Sequence, residues 1–176
     1  CRNNKMNNAE YDFGQISKLS AESIGEPGQR TFHIIIESKN ESCAIIWMEK
    51  EQLFNMAVAL KRTVSTIEVE SPSNSIKHFE DQPPSNIVPN IQVEFKASEL
   101  EVGYDKDTDL YFVSFYDINE FDIDTPKVNF YTDGDIIDRL AEDSFAICAA
   151  GRPLCPLCLV PTKDSSCIWE ECFRKN

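Results

Sequence analysis

The chain has 176 residues, enough for one packed domain with a small appendage. With 41% apolar and 27% charged residues it has the make-up of a soluble globular protein, and no run approaches the roughly 18 apolar residues of a membrane-crossing helix. A net charge of −13 tells against a dedicated nucleic-acid binder, which needs a basic face to engage phosphates.

The opening, "CRNNKMNNAE", carries no apolar pattern and reads as a disordered tail over residues 1–10. Met6 lies just ahead of the first patterned residues and is the expected native initiator, which would leave Cys1 without a role. The absence of a visible export signal predicts a cytoplasmic protein.

The first patterned stretch runs into Gly25-Glu26-Pro27-Gly28, a turn with a mechanism. Pro27 presets the first central position, and Gly28 supplies the positive φ that a type II turn needs next. Phe32, Ile34 and Ile36 then alternate with His33 and Ile35, the period of a strand buried on both faces. A polar turn, "KNES", leads to a second buried strand over Cys43–Met48. The period changes after it: Leu53, Met56, Ala57, Leu60, Val64 and Ile67 fall at helical spacing. Glu49 and Glu51 sit where the helix dipole favours acids. Residues 11–68 thus form one β/α unit.

Residues 69–90 hold four prolines among serines and asparagines, the composition of a linker or long loop. Beyond it, Leu100, Val102 and Tyr104 alternate, "DKDTD" turns, "LYFVSFYDI" makes an aromatic strand and "KVNFYT" a shorter one. The helix "TDGDIIDRLAEDSFAICAA" follows, with Thr132 and Asp135 at capping-box spacing. Residues 91–150 therefore restate the order of 11–68. The expected fold is α+β, two βββα-like repeats in one domain, each burying its sheet under its own helix.

Two tempting motifs are set aside. Asp105, Asp107 and Asp109 mimic the start of a calcium loop, but Leu110 stands where glycine is needed and Tyr116 where glutamate is needed, so a hairpin turn is expected. His33 and His78 belong to no catalytic set, and Cys43 and Cys148, on apolar faces, read as buried fillers.

The terminal 151–176 differ in kind. Their net charge is +1 against −14 for the remainder, and they hold Cys155-x2-Cys158-x8-Cys167-x4-Cys172. A Cys-x2-Cys knuckle turns tightly enough for both thiolates to bind one ion, and a second pair completes a tetrahedron. Zinc is the expected metal, in a closed structural site of a small zinc-ribbon-like tail. Disulfides or free thiols are the alternatives.

The stretches "AESIGEPGQRTF" and "AAGRPLCPLC", with "MEKEQL" and the linker between them, resemble an uncharacterised bacterial family, the domain of unknown function numbered 3090, over Tyr11 to Cys167. The family is known chiefly from actinobacteria and chloroflexi and has no established activity. Its usual ending follows the Cys-x2-Cys pair with a histidine and a cysteine two apart. Here Cys167 stands in the histidine's place, Trp169 in the cysteine's, and Cys172 comes three residues late.

These readings favour a non-catalytic binding or adaptor protein with a structural zinc, acting on an unidentified protein partner rather than on a nucleic acid, a membrane or a small-molecule ligand. The family's genomic company, a phosphatase-like and a kinase-like gene, implies the alternative: an enzyme or enzyme subunit acting on a phosphorylated metabolite. On that alternative Arg30, beside the Gly25–Gly28 turn, and Arg152, before the knuckle, are the candidate anion-binding cations. The ordinary role of Arg30 would be a salt bridge on the acidic body.

Overall fold

In a computed structural model of the chain, described over residues 9–26, 28–70, 90–120 and 125–150, six strands and two helices follow one another as expected. They are β1 (Tyr11–Ile24), β2 (Thr31–Ser38), β3 (Ser42–Met48), α1 (Lys50–Glu70), β4 (Asn90–Asp105), β5 (Leu110–Asp117), β6 (Val128–Thr132) and α2 (Gly134–Ala149). The fold is mixed α+β.

The strands do not form two separate sheets, each under its own helix. They close into one barrel in the order β1-β2-β3-β4-β5-β6. Three strands pair antiparallel in each half, and parallel pairings of β3 with β4 and of β6 with β1 seal the ring. The long strands make this possible. β1 pairs with β6 through Tyr11–Gln15 and with β2 from Ile16 onward, and its register shifts on either side of that change. Gly14 sits at the corner with φ of +57°. β4 pairs with β3 up to Lys96 and with β5 from Ala97 onward, with a shift between Ala97 and Glu99. Bulges of this kind bend a strand and re-aim it, which is what closure requires.

The predicted hairpin turn is present. The N–H of Gln29 donates to the Glu26 carbonyl at 2.9 Å, and Gly28 has φ of +95°, as a type II turn needs; Pro27 lies outside the described residues. Gly25, at φ +107°, is equally constrained, because a Cβ there would meet the Gln29 carbonyl oxygen at 2.7 Å. Asp105 caps its own turn, accepting from the Asp107 N–H and the Thr108 hydroxyl at 3.0 Å each, so the acidic triplet is a hairpin turn.

Strand directions place the ends of β3 and β6 at the same mouth of the barrel, so both helices start there. They run antiparallel to one another: Phe54 meets Phe145 edge-on at 5.4 Å, and Lys61 bridges Asp138 at 2.5 Å and Glu142 at 3.1 Å. α1 lies against β4 and β2, and α2 against β1 and β5, so each helix leans chiefly on a long strand of the other half. The inward-facing Ile16, Ile34, Ile46, Val113 and Phe130 and the helical Leu53, Leu60, Ile137 and Leu140 form one continuous core. Burial of this kind contributes about 25 cal/mol per Å² of apolar surface. His33 packs as expected, buried on the outer face against the Trp47 ring at 4.7 Å, with Nε2 3.7 Å from the Glu22 carboxylate.

The capping box is a misreading. Thr132 is the last residue of β6, paired with Tyr111, and its buried hydroxyl has no hydrogen-bond partner. Asp133 is the N-cap, and its side chain makes no cap hydrogen bond. β6 ends on Thr132, as the strand "KVNFYT" implied, and carries the threonine into the core, which leaves the cap position to Asp133. The reciprocal half of a capping box occurs instead on α1, where the Glu49 N–H donates to Gln52 Oε1 at 2.8 Å.

Candidate functional site

The first candidate is a groove of about 350 Å³ between α1 and the second half of β4. Helical spacing puts Gln52, Asn55, Met56 and Ala59 on one face of α1, looking across to Ala97–Val102. The bend of β4 holds the far wall away from the helix. Gln52 maintains the span, its amide donating to the carbonyls of Ala97 at 3.3 Å and Ser98 at 3.4 Å. Buried Met48, Met56, Ala97 and Phe115 make the floor, and half-buried Leu100 and Val102 the wall. Exposed Asn55, Ser98 and Glu99 form a polar rim. An apolar floor inside a polar rim is the make-up of a binding surface.

The second is a polar cavity of about 310 Å³ at the other mouth, where β1, β3 and β4 begin. Ser38, at the end of β2, anchors it. Its hydroxyl oxygen accepts the N–H groups of Asn40 at 3.2 Å and Ser42 at 3.3 Å, fixing the β2–β3 turn. Asp12 Oδ1 accepts the Gly14 N–H at 2.9 Å. Glu10 is paired with Lys127 Nζ at 2.7 Å, and Lys127 also meets Glu120 at 2.5 Å. These two carboxylates hold the Lys127 ammonium well above its ordinary pKa, and the Lys127 hydrogen bond keeps the Glu10 carboxyl below its own.

Of the candidate metal-ligating and anion-binding residues read from the sequence, Arg30 alone lies in the described part. It is half-buried, just ahead of β2, lines neither cavity, and among the described residues the expected salt bridge is not found. Arg152, Cys155, Cys158, Cys167 and Cys172 lie outside the described residues. Among the described residues no group of three or more His, Cys, Asp or Glu comes together as metal ligands, and no helix is long and apolar enough to cross a membrane. Cys43 and Cys148 are free and buried, and burial pushes both thiols up, away from the reactive thiolate. Neither cavity was legible beforehand: Gln52 sits in a helical pattern and Ser38 in a polar turn, and nothing in either motif signals a cavity.

The model of the family described as protein of unknown function (DUF3090) matches residues 11–168. No curated protein and no solved structure matches the chain.

Proposed function

The chain belongs to the DUF3090 family, and for this member we propose a non-catalytic binding role in which the groove between α1 and β4 seats an apolar anchor of a partner protein. The observation that carries the reading is the groove itself: Met48, Met56 and Phe115 below, Leu100 and Val102 beside, and an uncharged-to-acidic rim. Methionine adapts its shape to what it meets, which suits a surface that receives a side chain from another molecule. With a net charge of −13 and Glu99 at the rim, the partner segment should carry Lys or Arg beside its apolar anchor.

The tail 151–176 is proposed to hold one structural zinc through Cys155, Cys158, Cys167 and Cys172, in a cytoplasmic protein, and the two strand–strand–strand–helix runs are read as copies of one unit. Spacing supports the first, and the matching order of elements supports the last. The phosphorylated-metabolite alternative would bring Arg30 and Arg152 onto one anion. Arg30 lines neither cavity, so the binding role is preferred.

The test is selection of a displayed peptide library against the purified protein. Enriched sequences should join a bulky apolar residue to Lys or Arg, and their binding should be lost in Leu100→Glu, a change at a half-buried wall. Enriched peptides that bind Leu100→Glu as well as the parent would remove the groove from the account.

A further inference from the structure

We propose that the polar cavity at the mouth where β1, β3 and β4 begin binds a neutral polyhydroxylated ligand of sugar or cyclitol class. The proposal concerns a different site from the groove and stands independently of it.

The lining has the chemistry of a hydroxyl-binding site. Each hydroxyl of such a ligand both gives and takes a hydrogen bond, so its site needs donors, acceptors and groups that are both. The carboxamides of Asn40 and Gln92 and the hydroxyl of Ser42 supply all three, and among the described residues they have no side-chain hydrogen bond of their own. Ser38 is only 7% exposed. Its oxygen is occupied by two backbone N–H groups, which leaves its proton to be donated into the cavity. Asp12 uses one carboxylate oxygen on Gly14 and keeps the other as an acceptor.

Charge separates the ligand classes. Glu10 and Asp12 both line the cavity and disfavour an anion. The nearby Lys127 is already held between Glu10 and Glu120. A hard divalent cation wants about six to eight oxygen ligands, with carboxylates prominent. Here Glu10 is already paired with Lys127, which leaves Asp12 as the only carboxylate without an ion pair among the described lining residues. A cavity of about 310 Å³ lies at the lower end of the range for small-molecule sites, roughly 300–1,000 Å³.

The experiment is a titration of the ¹⁵N-labelled full chain, followed by amide chemical shifts, with glucose, mannose, galactose, trehalose and myo-inositol in turn, and separately with calcium chloride and inorganic phosphate. At least one neutral polyol should shift the amides of residues 10–13, 38–42 and 92 in a saturable way. The double change Asn40→Ala with Gln92→Ala, at two exposed positions, should weaken that binding at least tenfold without altering the rest of the spectrum. No saturable shift with any of the five polyols overturns the proposal. So does a response at these residues to calcium or phosphate alone.

Discussion

Gln52, in the first turn of α1, donates its side-chain amide to the carbonyl of Ala97 at 3.3 Å, where β4 leaves β3 for β5. The same side chain accepts the Glu49 N–H at 2.8 Å, so one residue both starts the helix and ties it to the barrel's corner. Gln52→Ala should therefore lower stability by about 1–2 kcal/mol, the cost of a cap together with a part-buried hydrogen bond. Urea unfolding would read the loss. A variant as stable as the parent would mean that the contact does not hold the corner.

Lys127 should make part of the stability pH-dependent, with a definite sign. The Glu10 carboxyl is held below its ordinary range, so its contribution is present above the unfolded pKa, near 4.3, and is lost as pH falls through the folded value. The ammonium is held above its ordinary range, so its contribution is complete below about pH 10 and fades only at higher pH. In Lys127→Met the largest cause of the Glu10 shift is gone. The gap between variant and parent should be about 1 kcal/mol near pH 7, because the pairs are partly exposed, and should narrow below about pH 4. Denaturation series at pH 7 and pH 3 compare the two, and a gap that widens in acid contradicts the assignment.

Two glycines with left-handed backbone should respond differently to alanine. Gly14 has φ of +57°, and a Cβ added there would have nothing within 4 Å, so Gly14→Ala should cost about 1 kcal/mol, the intrinsic strain alone. Gly25 has φ of +107°, and its added Cβ would meet a backbone oxygen at 2.7 Å. Gly25→Ala should cost distinctly more, about 2–3 kcal/mol. Equal midpoints in thermal unfolding would show that the hairpin tip relaxes freely.

For the cysteine-rich tail, protein purified without chelator should contain about one zinc per chain, released by acid because thiolates must stay deprotonated to bind. Cys155→Ser or Cys158→Ser should abolish retention, while Cys172→Ser asks whether the late cysteine completes the set. Elemental analysis without metal in the parent protein ends the zinc account. The thermal transition of the barrel should be unchanged in these variants, since its core is built from residues of the strands and helices.

Most of the local structure was legible because it is written in local periods. The two-residue alternation of Phe32, Ile34 and Ile36 and the helical spacing of Leu53, Met56 and Leu60 each state which face is buried, and those faces are buried. Alternation does not name a strand's partner. The parallel joins of Cys43 with Ile91 and of Tyr11 with Val128 connect distant segments, and no turn motif links them. Closure was invisible for that reason. The first half of β4 was blurred by the proline-rich stretch before it, although Val93, Phe95 and Ala97 alternate inward. The cavities were illegible because both are made of ordinary residues brought together by bends.

The parallel join of β1 to β6 has a consequence during synthesis. In the finished ring each described strand has two neighbours, although β1 and β4 meet theirs over different halves of their length, so fewer edges are left for another chain. That protection arrives late. Until Val128–Thr132 leave the ribosome, the Tyr11–Gln15 stretch of β1 and the outer side of β5 have no strand to pair with. A nascent chain stalled before β6 would expose two aromatic-bearing edges at once, so the hazardous moment for aggregation lies between the synthesis of β5 and that of β6.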